Sequence, residues 1–280
     1  MKPGGERTII DLNISPEDVS TIIKEFIKTY VESACSHNVI IGLSGGVDSA
    51  VSAVLCKEAL GVTHVQCVFL PDETTPQLDR KHIDLLVKTF HLRCKEINIA
   101  PFVESFFAAL KQTRRLTLAN IKPRVRMILL YEYANETNSL VCGTSNKSEI
   151  LVGYFTKYGD GGVDFQPLGD LYKTQIYQLA KYLKIPAPVI SKPPTAGLWV
   201  GQTDEKELRM SYSTLDKILY GLEVKYPDVE ILRQTGVSKA QLTRIRQMRV
   251  KSQHKRRFPL VPKIGIRTPG LDWRSPVQEG

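Results

Sequence analysis

Two serines, two glycines and an aspartate stand within a six-residue stretch that directly follows a short apolar run. The run Val39–Leu43 is dense enough in apolar residues for a strand buried on both faces. The next residues, Ser44 to Ser49 (SGGVDS), offer hydroxyls, a carboxylate and backbone N–H groups that no Cβ shields. Apolar residues at helical spacing then lead to Gly61, a suitable C-cap. A strand, a glycine turn and a helix in this order aim N–H groups and a helix dipole at one point, which suits a phosphate.

The same stretch also fits a simpler structure, a tight turn in which Ser44 or Asp48 caps the helix. Hydroxyls, paired glycines and a carboxylate able to hold Mg²⁺ together favour phosphate binding over that alternative. The stretch is not a Walker A loop, because no Gly-Lys-Ser/Thr follows the glycines, and it lacks the Gly-x-Gly-x-x-Gly dinucleotide fingerprint. We therefore predict a phosphate or pyrophosphate site of another kind.

A second group of polar residues follows another predicted strand, Ser139–Gly143. Thr144 stands at the end of that strand, and Glu149 lies five residues beyond it. Because the carboxyl ends of parallel strands share one edge of a sheet, Glu149 is expected near Asp48, where the two carboxylates could complete a Mg²⁺ site with phosphate oxygens and waters. Glu149 fits a helix-start carboxylate equally well. Spacing does not decide between these two roles.

These groups require a sheet and helices to position them. Apolar patterns predict strands at 39–43, 65–70, 94–99 and 139–143, and helices at 16–37, 101–110, 116–138, 204–225, 228–234 and 238–251, with further helices around Val54, Leu86 and Leu179. This alternation predicts an α/β fold, a doubly wound parallel sheet with flanking helices. We expect one domain over residues 1–280, with a flexible N-terminus at 1–15. The proline-broken stretch Pro186–Gly201 is expected to be a mobile loop over the site.

Composition places the chain among globular proteins: 42% of its 280 residues are hydrophobic and 24% are charged. No apolar run approaches the ~20 residues of a membrane span, and residues 1–10 lack a signal-peptide core, so the cytoplasm is the expected location. The five scattered cysteines form no CxxC pair and are expected to be reduced thiols, most of them buried. The net charge of +9 suits polyanionic ligands. The basic cluster Arg244–Arg257 fits a solvated tail or a nucleic-acid contact.

The loop sequence SGGVDS resembles the pyrophosphate-binding loop of the N-type ATP pyrophosphatases, enzymes that cleave ATP between its α and β phosphates. Five later stretches are similar to the ammonia-dependent NAD synthetase family: GTSNKSE (143–149), GYFTKYGDGG (153–162), PLGDLYKTQ (167–175), KPPTAGLW (192–199) and HKR (254–256). The run from KYGDGG to PLGDLYKTQ is far more specific than SGGVDS. The resemblance extends from the first helix to about Lys263 and implies the adenine nucleotide alpha hydrolase-like form of the doubly wound fold.

The resemblance implies a homodimeric ligase of the final step of NAD biosynthesis. Mg-ATP adenylates the nicotinate carboxylate of deamido-NAD with release of pyrophosphate, and ammonia then displaces AMP. ATP is therefore the expected co-substrate and Mg²⁺ the expected cofactor. No glutaminase segment is recognised, so glutamine is expected to serve only through a separate partner or by weak direct use. No membrane partner is expected.

Carried over position by position, the resemblance assigns three groups of site residues. The ATP contacts are Gly42, Leu43, Ser44, Gly45, Gly46, Val47, Asp48, Ser49, Thr144, Lys173 and Thr195. The magnesium ligands are Asp48 and Glu149. The deamido-NAD contacts are Arg124, Lys157, Asp164, His254 and Lys255.

Three residues are expected to act in the reaction itself. Asp48 would hold Mg²⁺, and Lys173 would stabilise charge on the departing pyrophosphate. Asp164 is a hypothetical site for holding or deprotonating ammonium. Considered separately from the resemblance, Lys157 and Lys173 each fit a solvated charge better than a ligand. No covalent nucleophile is needed, in agreement with the lack of an obvious Ser-His or Cys-His arrangement.

The sequence departs from the family pattern in two places. The family usually has a glutamine soon after the Leu-Pro that ends the second strand, whereas here Pro71 is followed by DETTPQ, with the first glutamine at position 77, so the adenine contacts stay open. Residues 264–280 extend beyond the family's usual end, and we assign them no function. Arg126 competes with Arg124 for the same deamido-NAD contact.

Two other functions remain as alternatives. One is a pyrophosphatase-loop enzyme that adenylates tRNA, such as a thiolase or a lysidine-type ligase. The basic cluster favours it, but thiolases commonly need paired catalytic cysteines, and none stand at a suitable spacing. The other is a nucleotide-binding sensor without chemistry. Nucleic acid is accordingly a less favoured partner than deamido-NAD, ATP and ammonia.

Overall fold

The computed structural model describes residues 10–110, 114–199 and 201–268, with only the backbone of Arg115. The strands in these ranges are β1 (Asn38–Gly42), β2 (Val65–Phe69), β3 (Arg93–Glu96) and β4 (Ser139–Cys142). They form one parallel sheet in the order β3-β2-β1-β4. Because β1 lies between β2 and β4, the loop that follows it leaves the middle of the sheet.

Helices separate the strands and continue after the last one. They are α1 (Pro16–Ser33), α2 (Val47–Leu60), α3 (Gln77–Phe90), α4 (Ala100–Leu110), α5 (Arg115–Ala119), α6 (Ile121–Glu136), α7 (Lys147–Val152), α8 (Lys173–Tyr182), α9 (Ala187–Ile190), α10 (Asp204–Leu208), α11 (Tyr212–Glu223), α12 (Asp228–Thr235) and α13 (Lys239–Lys251). Short 3₁₀ turns stand at Val62–His64 and Gln253–Lys255.

The sheet is buried on both faces, as the apolar run of β1 predicts. Val39 and Ile41 belong to the core formed with α1, α2, α3 and α8, whereas Ile40 belongs to the core formed with α4 and α6. β2 alternates in the same way, with Cys67 in the first core and Val68 in the second. Helices therefore cover both faces, and the predicted doubly wound parallel sheet is confirmed.

A third core joins α7 to the C-terminal helices α10–α13. Leu215 and Ile218 of α11 pack with Leu242 and Ile245 of α13, and each of the four is buried. Val152 at the end of α7 belongs to the same core. The short helix that carries Glu149 is thus supported by the C-terminal helices.

Two predicted helices are each divided in the structure. The helix expected over 116–138 is broken at Asn120 into α5 and α6, because Pro123 has no N–H to donate to the carbonyl of Ala119. The helix expected over 204–225 is broken into α10 and α11 at Arg209, whose φ of 56° ends the first of them. The stretch predicted as a loop over 186–201 contains the short helix α9.

The predicted flexible N-terminus differs from the structure over residues 10–15. Ile10 is 5% exposed, and its N–H donates to Gln234 Oε1. Gln178 of α8 accepts from the N–H of Ile14 and donates to the carbonyl of Leu12. This segment is therefore held against α8 and α12. Residues 1–9 of the predicted flexible segment and residues 269–280 of the C-terminal extension lie outside the described residues.

The cysteines follow the expectation of thiols that are mostly buried. Cys56, Cys67 and Cys142 are buried, Cys94 is half-buried, Cys35 is exposed, and all five are free. Burial raises the pKa of Cys94 to about 11 and raises that of Cys142 as well. None of the helices in the described ranges combines the length and the apolar character that a membrane crossing requires.

The contact between α11 and α12 leaves no room for a side chain at Gly221. A Cβ there would lie 2.8 Å from Cγ1 of the buried Ile231. Alanine is preferred to glycine in a helix by about 1 kcal/mol, but overpacking a core costs about 1–3 kcal/mol. We expect Gly221→Ala to lower the free energy of unfolding in urea titrations. A double-mutant cycle with Ile231→Ala should show a smaller loss than the sum of the single variants, and a stabilised Gly221→Ala would contradict this packing.

Candidate active site

The loop that follows β1 leaves the first turn of α2 without a side-chain cap. Gly46 is the N-cap residue, in an extended conformation, and has no side chain with which to cap. The alternative in which Ser44 or Asp48 caps this helix is therefore wrong. The N–H groups at the start of α2 remain available to an anion at the centre of the sheet's carboxyl edge.

The two serines of the loop bond to each other and to the loop backbone. Ser49 Oγ lies 3.0 Å from Ser44 Oγ, accepts from the N–H of Ser44 and donates to the carbonyl of Gly46. Ser49 is 2% exposed. The sequence predicts that these hydroxyls donate to a ligand. In the structure, the hydroxyl of Ser49 instead bonds to Ser44 and Gly46 and so stabilises the conformation of the loop.

Gly45 lets the loop pack directly against α3. Its φ is +73°, and a Cβ on it would lie 2.9 Å from the carbonyl oxygen of Asp79. His82 of the same helix lies with Nδ1 3.3 Å from the carbonyl oxygen of Gly45. The glycine is therefore needed for this contact as well as for the turn.

A lysine and two carboxylates meet beside this loop. Lys173, the first residue of α8, places Nζ 2.5 Å from Asp48 Oδ2 and 3.5 Å from Glu149 Oε1. Its side chain is 2% exposed, so these carboxylates replace water around the ammonium. Burial alone would lower the pKa of Lys173, but the charges of Asp48 and Glu149 hold it well above its ordinary value. The structure thus brings together the three residues that the resemblance assigns to metal and phosphate.

Glu149 is the helix-start carboxylate that its spacing allows, whereas its role as a magnesium ligand stays a prediction. It is the third residue of α7 and forms a capping box with Asn146: its N–H donates to Asn146 Oδ1, and its Oε2 accepts from the N–H of Asn146. Its Oε1 faces Lys173 and accepts from the hydroxyl of Tyr212 at 3.4 Å. Asn146 also donates from Nδ2 to Asp48 Oδ1 at 3.0 Å, which links the two carboxylates.

The site carries more negative than positive charge. Asp204, at the start of α10, is 4% exposed and lines the same pocket, and its Oδ1 has no hydrogen-bond partner. Burial raises the pKa of Glu149 to about 8; Lys173 opposes this shift, while Asp48 and Asp204 add to it. A bound cation would offset this repulsion.

The residues present fit a magnesium ion shared with phosphate oxygens. Mg²⁺ prefers oxygen ligands and is usually held by one or two carboxylates together with substrate phosphates. Asp48 and Glu149 supply such a pair. Among the described residues, no group of three or more His, Cys, Asp or Glu is arranged to hold a metal, so protein ligands alone would not complete the coordination.

A pocket of about 440 Å³ opens over this cluster. It is bounded by the phosphate loop, the carboxyl ends of β2 and β4, the start of α6, the glycine-rich segment 153–163 and the proline segment 192–199. Its volume lies within the range of small-molecule sites. The predicted contacts Thr144, Thr195 and Lys255 line it.

The proline segment is tied to the rest of the pocket by two cations that sequence reasoning missed. Lys192 forms an ion pair with Asp79 of α3, with Nζ 2.6 Å from Oδ1. Lys122 lies 2.8 Å from Asp72 and donates to the carbonyl of Leu198 at 3.1 Å. In the sequence, this region stands out only by its departure from the family pattern at DETTPQ (72–77). Spacing does not show that Asp72 in this stretch pairs with Lys122 of α6.

Other predicted contacts lie outside the pocket of this chain. Arg124 is exposed, with Nη1 donating to the carbonyl of Asn120, whereas its competitor Arg126 lines the pocket and donates from Nε to the carbonyl of Leu70. Lys157 lies over the ring of Tyr158, 5.1 Å from its centroid. His254 is exposed. The assignments of Arg124, Lys157 and His254 stay predictions.

Asp164 bonds to the edge of the sheet. Its Oδ2 accepts from the N–H of Val141 at 2.7 Å, and its Oδ1 accepts from the hydroxyl of Tyr131 at 2.9 Å. The chain here adds a short parallel bridge to β4, between Cys142 and Phe165. The structure therefore does not bring Asp164 into the pocket, and its proposed role towards ammonium stays a prediction.

The basic cluster near the C-terminus is largely used within the molecule. Arg244 donates to the carbonyls of Glu207 and Leu208, and Arg246 pairs with Asp228.

The end of the basic cluster contacts the segment that borders the pocket. Lys255 donates to the carbonyls of Gly153 and Phe155, at 2.7 Å each. Arg256 donates to the carbonyls of Leu151 and Arg249. These contacts fix the segment that borders the pocket and leave fewer free cations for a nucleic acid.

The chain is similar over most of its length to known NAD synthetases. A family model described as NAD synthase matches residues 19–259. The curated NH(3)-dependent NAD(+) synthetase of Methanosarcina acetivorans is 42% identical over 252 residues, which cover 89% of this chain and 98% of that protein. The solved structure of an NMN synthetase from Francisella tularensis has a TM-score of 0.81 at 34% identity, and the match covers 90% of this chain and 100% of that one. An NH3-dependent NAD synthetase from Campylobacter jejuni, solved with a nitrate ion, has a TM-score of 0.77 at 32% identity and the same coverage.

Gly45 provides a test of the phosphate loop. Gly45→Ala should lower both the free energy of unfolding and the affinity for inorganic pyrophosphate, because the new methyl group meets the backbone of Asp79. Gly61→Ala is the matched control, since Gly61 ends the same helix with φ +87° but has no atom within 4 Å of an added Cβ. We expect Gly45→Ala to be less stable than the control by about 1–3 kcal/mol. Calorimetry measures both quantities, the free energy of unfolding and the affinity for pyrophosphate. Equal losses in Gly45→Ala and Gly61→Ala would contradict this account.

Proposed function

Because the chain belongs to the NAD synthase family, we propose that it amidates deamido-NAD with ammonia, cleaving ATP to AMP and pyrophosphate. One observation of the site carries this proposal most directly: a buried lysine and two carboxylates meet beside an uncapped helix start at the centre of a parallel sheet. That arrangement suits the binding of a triphosphate. The enzyme is a ligase that forms a C–N bond.

The chemistry explains why such a site is needed. A carboxylate is a poor acyl donor, and adenylation converts it into a mixed anhydride from which AMP can leave. The nicotinate carboxylate attacks the α-phosphorus, and pyrophosphate departs. Lys173 and the N–H groups of the loop stabilise the charge that grows on pyrophosphate. Ammonia then attacks the acyl carbon, and AMP is released.

We propose that Asp48 and Glu149 hold the magnesium ion that accompanies ATP. When bound there, Mg²⁺ would offset the charge of the phosphates. The proposal is supported by the excess of carboxylates over cations and by the raised pKa of Glu149. Lys173 pairs with both carboxylates and so keeps them close together.

We further propose that the protein works as a homodimer in the cytoplasm. Arg124, Lys157 and His254 resemble deamido-NAD contacts of the family, yet none of them lines the pocket of this chain. A second copy that presents one or more of these residues to the pocket would resolve that difference. In light-scattering experiments, a monomer at micromolar concentration that has full activity would contradict this part of the proposal.

A second candidate differs only in the size of the acid that is amidated. The NMN synthetase from Francisella tularensis has a TM-score of 0.81 with this chain. The mononucleotide acid that would yield NMN is therefore the alternative substrate. It presents the same nicotinate carboxylate, so the adenylation site described above would serve either acid.

The decisive test is an assay of products and substrate choice. The full chain, supplied with deamido-NAD, ATP, MgCl₂ and ammonium chloride, should form NAD, AMP and pyrophosphate in equal amounts. Glutamine in place of ammonium and nicotinate mononucleotide in place of deamido-NAD should each give a much lower kcat/KM. Release of ADP, or no product with either acid, would contradict the proposal. Preference for the mononucleotide would select the second candidate.

Removal of one carboxylate tests the metal and phosphate site. Asp48→Asn keeps the size of the side chain but removes a negative charge, so kcat should fall at least ~10²-fold and more Mg²⁺ should be required. Asp170→Asn is the control, because Asp170 is 97% exposed and pairs with Lys147 at the surface. The control should retain activity. An Asp48→Asn variant with ordinary turnover and Mg²⁺ dependence would exclude Asp48 from the site.

A further inference from the structure

A fully buried carboxylate lies behind the active site on α11. Asp216 is 0% exposed, and its two oxygens accept hydrogen bonds from two different segments. Oδ1 accepts from Ser148 Oγ at 2.5 Å, and Oδ2 accepts from the N–H of Thr174 at 2.9 Å. Ser148 Oγ in turn accepts from the N–H of Lys173 at 3.0 Å. Asp216 thus holds Ser148 of α7 and the N–H of Thr174 of α8 directly, and the N–H of Lys173 through Ser148.

These groups lie in the first turns of the helices that carry the site. Ser148 is the neighbour of Glu149 in α7, and Thr174 is the neighbour of Lys173 in α8. The side chains of Glu149 and Lys173 then meet 3.5 Å apart in the pocket. The bonds to Asp216 therefore join the two backbone segments from which these side chains project.

We propose that Asp216 is a positioning residue of the reaction, which holds Glu149 and Lys173 at a fixed separation through Ser148 and the N–H groups of α8. This inference rests on the proposed function. Asp216 does not itself line the pocket, so it would act through the residues that it holds in place.

The position explains why a buried acid is present so close to other carboxylates. Burial raises the pKa of Asp216, and the bonds from Ser148 and Thr174 oppose that shift. The start of α8 adds the positive end of a helix dipole, which favours a carboxylate at this point. A neutral apolar side chain would fill the same space but would leave buried donors without acceptors.

The proposal predicts a particular kinetic pattern. Lys173 stabilises the charge that grows on pyrophosphate as it departs, so its position affects the chemical step more than the binding of ATP, to which the loop Ser44–Ser49 also contributes. Misplacement of a reacting group by about 1 Å can cost ~10²-fold in rate. Loss of the anchor should therefore lower kcat and leave KM for ATP nearly unchanged.

The experiment compares Asp216→Asn with a matched control on the same helix. Glu223 also links α7 to the start of α8, since it pairs with Lys147 at 2.8 Å and accepts from the hydroxyl of Tyr172 at 2.5 Å. Unlike Asp216, it is 46% exposed and does not bond to the N–H of Thr174 or, through Ser148, to that of Lys173. Asp216→Asn should lower kcat at least ~10-fold with KM for ATP within about 3-fold. Glu223→Gln should keep kcat. Hydrogen exchange of a peptide spanning residues 172–175 should speed up in Asp216→Asn only.

The exchange measurement separates this proposal from the proposed function. Faster exchange in Asp216→Asn together with a wild-type chain that makes no NAD would contradict the function but support the anchor. Unchanged exchange, or an ordinary kcat in the folded variant, would overturn the anchor. A loss of activity that merely follows the folded fraction would also overturn it. If Asp216→Asn does not fold, Ser148→Ala, which removes the bridging hydroxyl, is judged by the same criteria.

Discussion

A lysine ammonium with almost no access to water is the constraint on which this structure depends. Lys173 is 2% exposed, and an unpaired charge so deeply buried would be very unfavourable. Asp48 and Glu149 must therefore stay beside it, although they project from α2 and α7. Three helices consequently have to start at one edge of the sheet. The order of the strands, with β1 between β2 and β4, makes this convergence possible.

The fold was largely predictable from local patterns. The apolar run of β1, the alternation of strands and helices, and the glycine turn all depend on neighbouring residues, and the structure confirms them. The breaks at Asn120 and Arg209 were missed because apolar spacing continues across them. Pro123 is the residue that could have indicated the first break, since a proline at that position leaves a carbonyl of the preceding turn without a donor.

The site was predictable only in part. Spacing indicated that Asp48 and Glu149 would meet at one edge, but Lys173, separated from Asp48 by 125 positions, was assigned through resemblance alone. Arg124 and Arg126 are two positions apart and therefore face different sides of α6. Spacing alone does not show which of these sides faces the pocket, because that depends on how α6 packs. Aspartate is a common residue type in active sites, yet the carboxylate of Asp164 accepts a hydrogen bond from the N–H of Val141 in the edge strand β4. Such uses depend on tertiary contacts that a single sequence does not reveal.

The distribution of the thiols has a practical consequence for experiments on the protein in solution. Cys56, Cys67 and Cys142 are buried, and high pKa values keep Cys67 and Cys142 from forming the thiolates that react with maleimides. Cys35 is exposed in the turn between α1 and β1, at the amino edge of the sheet. A fluorophore attached there would sit on the side opposite the pocket. Cys94 is only half-buried, but burial raises its pKa to about 11 and so also disfavours its thiolate. Cys35 is therefore the favoured labelling position of the native chain for single-molecule work.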